Sequence, residues 1–197
     1  MIPSPPADPD VALMLRLQAG DEAALGELLR RNGPAVLSLA YRYLNDRAGA
    51  EDVVQETFLR LYQARERYRP EARFRSYLLR IATNSCLSRL RKKRAVSLSG
   101  EVDPDSGRSE PEPVDPDAAA PGDPMLRHEM AARVRAAVDQ LPERQRLAIL
   151  LNKFEGLDYQ GVADALELTV PATKSLLHRA RMALKELLTE YVGEESP

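Results

Sequence analysis

The chain has no tryptophan, a single cysteine and an aromatic content of only 5% in 197 residues. One cysteine excludes an internal disulfide, and no Cys/His group has the spacing of a metal site. Cys86 reads as a small core residue rather than a reactive thiol. No apolar run approaches membrane-spanning length, which argues against membrane insertion. The opening stretch MIPSPPADPD lacks the basic and apolar regions of a secretory leader. The expectation is therefore a soluble cytoplasmic protein. There is no glycine-rich phosphate loop and no nucleophile–base spacing, so no catalytic residue, metal or cofactor is expected. No stretch alternates with period two, and β-branched residues are scattered. That leaves an all-α fold: two small helical domains with few aromatic side chains in their cores.

What the chain does have is charge, unevenly placed. Its formal net charge is −2. Residues 60–94 nevertheless hold 12 basic and 2 acidic side chains, a net of +10. Residues 95–124 hold 1 basic and 8 acidic, a net of −7, with 6 of the 15 prolines. That second segment cannot bury enough apolar surface to offset its ordering entropy, and it reads as a flexible linker. The domains are then 1–94 and 125–197. On charge alone, the acidic linker is placed to fold back over the basic groove.

Asp8-Pro9 opens a short helix that Gly20 ends, and Asp21 caps the next, with Leu25, Leu28 and Leu29 inward. Asn32-Gly33-Pro34 is expected to break or kink that helix before it resumes to Asn45-Asp46. Ala50–Ala64 is a further helix. Val53, Val54, Thr57, Phe58, Leu61 and Ala64 share its apolar face. Asp52, Gln55, Glu56 and Gln63 lie opposite, with Leu59 among them. A large apolar side chain ringed by acids and amides suits a protein-binding patch. An isolated exposed leucine would look the same in sequence.

A hinge, Arg65–Arg73, precedes a helix over Phe74–Arg91 that is apolar on two sides. Between those sides lie Tyr77, Arg80, Asn84, Ser88 and Arg91, while Tyr68 supplies a ring in the hinge. A basic groove with aromatic rings suits single-stranded nucleic acid, whose bases stack while its phosphates meet arginines. A solvated basic face is the alternative.

In the second domain, Met130, Val134 and Val138 mark one helix, and Pro142-Glu143 opens another that Gly156 ends. Asp158 caps a short helix, a turn spans Glu167–Val170, and Thr169 caps a helix through Leu188 with Pro171 in its first turn. Two helices across a tight turn, the second basic, form a helix-turn-helix pattern. On the last helix Thr173, Leu177, Ala180 and Leu184 form the buried stripe. Lys174, His178, Arg181 and Lys185 form a second stripe roughly 100° away.

Four blocks carry a resemblance: AEDVVQETFLRLY, FRSYLLRIATN, LPERQRLAILLNKFEGLDYQGVADAL and KSLLHRARMAL. They resemble the paired conserved regions of bacterial sigma factors, and the two-domain layout resembles the extracytoplasmic-function group. The resemblance implies a promoter-specificity subunit without active-site chemistry. It implies that Asp52, Gln55, Glu56 and Leu59 dock on the clamp helices of the RNA polymerase core β′ subunit. It places minus-ten recognition and strand opening on Tyr68, Arg73, Tyr77, Arg80, Asn84, Ser88 and Arg91. The second domain would bind the β flap and read minus-thirty-five promoter DNA with Ala172, Lys174, His178, Arg181 and Lys185. An anti-sigma factor is a candidate partner.

The sequence departs from the family's usual pattern at a few places. Tyr77 stands where a tryptophan is usual, Glu167 where a glycine is frequent, Pro171-Ala172 for Gly-Thr, and Leu176 for an arginine. A stand-alone duplex-binding helix-turn-helix dimer explains the second domain, but neither the basic groove nor Leu59. A nucleic-acid-processing enzyme lacks its metal, loop and nucleophile.

Overall fold

In a computed structural model, residues 8–98 and 124–193 are described, with side chains over 8–93 and 129–189. All regular structure among them is helical, as expected. The first unit holds α1 (Pro9–Gln18), α2 (Ala23–Leu44), α3 (Arg47–Ala64), a 3-10 turn (Arg65–Arg67) and α4 (Phe74–Leu98). The second holds α5 (Pro124–Asp139), α6 (Glu143–Ile149), a π turn (Leu150–Phe154), α7 (Tyr159–Leu166) and α8 (Val170–Gly193).

The termini of the helices follow from a few short polar side chains. Asp8 accepts a hydrogen bond from the Asp10 backbone N–H at 3.0 Å and caps α1. Its other carboxylate oxygen accepts from the Phe74 N–H at 3.2 Å, so one side chain ties the start of α1 to the start of α4. Asn45 ends α2 in the left-handed region, at φ 53, a conformation asparagine tolerates. Asp46 then accepts from the Gly49 N–H at 3.0 Å and starts α3. A Cβ on Gly49 would come within 2.6 Å of that carboxylate, so the cap needs glycine.

Of the break or kink expected at Asn32-Gly33-Pro34, the break does not occur: α2 runs through Pro34. A proline in a helix interior costs about 3 kcal/mol or more. Tertiary contacts at this point offset it. Asn32 is buried, and its amide donates to Asp10 Oδ2 at 3.1 Å and to the Leu28 carbonyl at 3.3 Å. Arg31 pairs with the same Asp10 at 2.7 Å. The start of α3 comes three residues earlier than the sequence suggests, because Asp46 rather than a later residue caps it. Helix α4 runs beyond Arg91 to Leu98, past the expected domain edge. The expected linker otherwise lies outside the described residues.

Both units share one apolar core. Met14, Leu17, Leu28, Leu39, Tyr43, Leu61, Phe74 and Leu78 fill the first, and Leu147, Leu150, Leu151, Val162 and Leu177 fill the second. Full burial of each such side chain is worth about 1.5–3 kcal/mol. The units also pack on each other: α7 lies along α4, and the π turn lies against α2. Arg146 donates to the Tyr43 backbone carbonyl at 2.6 Å, with its guanidinium 4.7 Å from the Tyr43 ring centre.

Candidate functional site

Three surfaces gather the residues singled out in sequence. The first is on α3. Leu59 is 56% exposed and sits in a shallow groove of about 440 Å³ with Leu25, Gly26, Leu29, Phe58 and Tyr62. Leu29, expected to point inward, is 42% exposed and lines this groove instead. Its α2 position faces the gap between α2 and α3, which the chain leaves unfilled. The Tyr62 hydroxyl donates to Glu22 Oε1 at 3.1 Å across the rim. Gln55 is exposed, Glu56 pairs with Arg60 at 2.5 Å, and Asp52 pairs with Arg89 of α4. Leu59 is therefore part of an apolar patch rather than an isolated leucine. Leu25 and Leu29 were missed because periodicity assigns them to a core face without saying where that core stops.

The second surface is on α4. Tyr68 is 2% exposed. Its ring lies edge-on to Phe74 and to Tyr77, at 6.4 and 5.1 Å between centres. Burial pushes its hydroxyl up to about 12. Tyr68 was expected to offer a ring to nucleic acid, but in this conformation it is a core side chain, because the hinge folds it under α4. Tyr77 is half-buried, with the Arg80 guanidinium 5.2 Å from its ring centre. Asn84 and Arg91 are exposed, and Ser88 is partly exposed.

The arginines of this helix face carboxylates of the second unit. Arg75 meets Glu155 at 2.8 Å, Arg73 meets Asp158 at 3.4 Å, and Arg80 meets Glu167 at 3.8 Å. The Glu155 side chain is only 4% exposed. Burial raises its carboxyl above the ordinary value, against the opposing pull of Arg75 and Arg42. Arg42 lies 4.2 Å from the Phe154 ring centre, and burial lowers it from the ordinary arginine value. The Thr83 hydroxyl donates to the Ala165 carbonyl at 3.3 Å. A Cβ on Gly161 would come within 3.1 Å of Ser76 Oγ, so α7 approaches α4 where neither chain carries bulk. Arg75, Ser76 and Thr83 carry no sequence signal that distinguishes them from any other residue of an amphipathic helix.

The third surface is on α8. Asp158 accepts from the Gly161 N–H at 2.8 Å and caps α7. Glu167 ends α7 at φ 54, a left-handed position where glycine is cheaper. Thr169 Oγ1 then accepts from the Ala172 N–H at 3.3 Å and starts α8. Thr173, Leu176, Leu177 and Ala180 are buried, and Leu184 is partly so. Leu176, where the resemblance led one to expect an arginine, lies on that apolar face. Ala172, Lys174, His178, Arg181 and Lys185 are all exposed. Arg181 donates to Asn152 Oδ1 at 3.1 Å and to the Tyr159 hydroxyl at 3.4 Å. That bond holds the Tyr159 hydroxyl below its ordinary value. Among the described residues no cluster of His, Cys, Asp and Glu could hold a metal, and no helix is long and apolar enough to cross a membrane.

Comparison with known proteins agrees with this geometry. Residues 28–96 match Sigma-70 region 2, and residues 131–184 match Sigma-70 region 4. The chain is 33% identical over 186 residues to the RNA polymerase sigma-H factor of Pseudomonas aeruginosa, covering 94% of this chain and 96% of that one. It is 31% identical over 197 residues to the ECF RNA polymerase sigma factor SigE of Mycolicibacterium smegmatis, covering 96% and 72%. The chain belongs to the extracytoplasmic-function group of RNA polymerase sigma factors. It is thus a promoter-recognising subunit that directs transcription initiation. Its fold is similar to the sigma factor RpoE solved with the anti-sigma factor NepR from Bartonella quintana. That match has a TM-score of 0.63 and 25% identity, covering 83% of this sigma factor and 96% of that chain.

Proposed function

We propose that this sigma factor divides its work among the three surfaces. The α3 groove docks on the polymerase, α4 receives the minus-ten strand, and α8 reads minus-thirty-five duplex. The observation that carries this reading is the groove around Leu59. An apolar trough about 440 Å³ in volume, on the domain that does not carry the helix-turn-helix, suits a protein partner. A polymerase subunit needs one. Leu59 and Leu29 supply the apolar contact, and Gln55, Glu56 and Asp52 surround it with groups that choose a basic partner surface. The clamp helices of β′ are the partner, and the β flap takes the second domain.

On α4, Tyr77, Arg80, Asn84, Ser88 and Arg91 run along one side, with Arg73 at its start. Arg80 and Tyr77 offer a cation and a ring to a flipped base, and Asn84 offers an amide to its edge. On α8, Lys174 stands one turn from the N-terminus, where a side chain in the major groove meets base edges. The protein acts by binding and not by catalysis, and it works in the cytoplasm where the DNA lies. Like the RpoE relative with NepR, it takes an anti-sigma factor as a partner.

Leu59→Asp tests the docking assignment. It should abolish pull-down of core polymerase and run-off transcription while leaving the helical circular dichroism intact. Retained pull-down would remove the assignment. A mobility shift on duplex promoter without polymerase separates the two readings, since a sigma factor binds duplex poorly alone and a dimeric repressor binds it well.

A further inference from the structure

The hinge between α3 and α4 leads into the minus-ten face, yet from Tyr68 to Arg73 it has no helix of its own. We propose that α1 is a brace that presets this hinge, and that Gln18 is a positioning residue for recognition of the minus-ten strand. The proposal rests on the assignment of the hinge and α4 to that strand.

Backbone outside a helix must find its hydrogen-bond partners elsewhere. Some of these partners lie within the hinge. The Tyr68 N–H donates to the Arg65 carbonyl at 3.3 Å, and the Glu71 N–H to the Arg69 carbonyl at 2.9 Å. Others come from α1. The Gln18 amide donates to the Glu66 carbonyl at 3.0 Å and to the Tyr68 carbonyl at 3.4 Å. Asp8 accepts from the Phe74 N–H at 3.2 Å, where the hinge becomes α4. Gln18 is the last residue of α1, and Asp8 is its N-cap. One helix of 10 residues, about 15 Å long, therefore grips the hinge near both its ends.

The helix can serve as a ruler because it is itself fixed. Its Leu13, Met14 and Leu17 are buried, and Asp10 meets Arg31 and Asn32 of α2 at 2.7 and 3.1 Å. Beneath the hinge the Tyr68 ring packs edge-on against Phe74 and Tyr77. With the backbone held from α1 and the ring held from below, Arg67, Arg69 and Arg73 are left exposed. A loop already in shape spares the strand the cost of ordering it. Gln18 is the cleaner of the two grips to test. Asp8 also caps α1, whereas Gln18 is partly exposed and meets two hinge carbonyls. Two carbonyls call for a donor, which the NH2 end of a glutamine supplies.

The test uses the full chain with core polymerase. Gln18→Glu keeps the size of the side chain and sets an acceptor against both carbonyls. Gln18→Lys restores donors at similar reach. The readouts are permanganate footprinting of a linear promoter and holoenzyme selection from a library randomised at the minus-ten element. Gln18→Glu should lower opening about tenfold, as for the loss of two ordinary hydrogen bonds. It should also blur the minus-ten consensus, while pull-down of core polymerase and the minus-thirty-five consensus stay unchanged. Gln18→Lys should keep most of the wild-type opening and consensus. Equal losses in Gln18→Glu and Gln18→Lys, with a lower urea midpoint in both, would make Gln18 a structural residue and overturn the positioning role. Tyr77→Ala is the separate arm. If Tyr77→Ala impairs opening and Gln18→Glu does not, the brace alone fails. If neither does, the assignment of this face to the minus-ten strand fails with it.

Discussion

Helices α4 and α8 carry similar basic patterns in the sequence and meet different fates in the fold. On α8, Lys174, His178, Arg181 and Lys185 project away from the domain. Arg181 bonds the neutral Asn152 and Tyr159 of its own domain. At α4, Arg73 just before the helix and Arg75 and Arg80 on it all face carboxylates from the other domain. The difference teaches that a basic helix is not automatically a free one. The α8 row stands open to solvent, and the arginines at α4 stand against protein carboxylates.

The comparison can be pressed hardest at the two tyrosines beside α4. Tyr68 is buried and Tyr77 is half-buried. Tyr68→Ala should cost roughly 3–5 kcal/mol of stability, as for other large core aromatics, read as a fall in the urea midpoint. Tyr77→Ala should cost far less stability and instead impair promoter opening. Loss of one stacked base is worth roughly 1–3 kcal/mol, measurable by permanganate footprinting and rescued on a pre-melted template. If Tyr77→Ala unfolds the protein and Tyr68→Ala spoils opening alone, the two rings have been assigned the wrong way round.

The α8 row sharpens the comparison from the open side. Lys174→Ala should relax preference at one or two minus-thirty-five positions, by roughly 1–3 kcal/mol against the preferred base. Arg181→Ala should weaken all promoters alike and lower the salt slope by about one unit. Asn152→Ala should give a weaker version of the Arg181 effect, because it frees the guanidinium without removing it. Selection by holoenzyme from a randomised minus-thirty-five library at two salt concentrations separates these. A changed consensus with Arg181→Ala and none with Lys174→Ala would mean that α8 lies reversed in the groove.

The smallest effect concerns the buried face of α4. Burial pushes the Cys86 thiol above its ordinary value, up to about 12. A thiol whose folded value is raised contributes stability that is whole below the unfolded value. That contribution fades as pH rises toward the folded one. The urea midpoint should therefore decline from about pH 9 upward, and Cys86→Ala should flatten that part of the decline. Alkylation of Cys86 should be slow in the native protein and fast in urea. Rapid native labelling would mean that the α3–α4 packing opens far more readily than this burial implies.

The sequence by itself determined most of the local structure and the family. Asp8, Asp158 and Thr169 each cap a helix, because a short polar side chain next to an apolar-periodic run satisfies free backbone donors wherever it occurs. The α8 stripes were legible for the same reason, since 3.6-residue periodicity fixes which residues share a face. Four conserved blocks in order then named the family. The tertiary structure decided the rest. It carried α2 through Pro34, because Asn32 and Arg31 found Asp10 on another helix. It put Tyr68 under α4, because the hinge turned inward. It turned Leu29 outward beside Leu59 and made a groove. It closed Glu155 against Arg75, residues 80 apart in the chain. Periodicity and capping report only what lies within a turn or two of helix. Which faces are covered depends on contacts between distant elements, and those leave no repeating mark in the sequence.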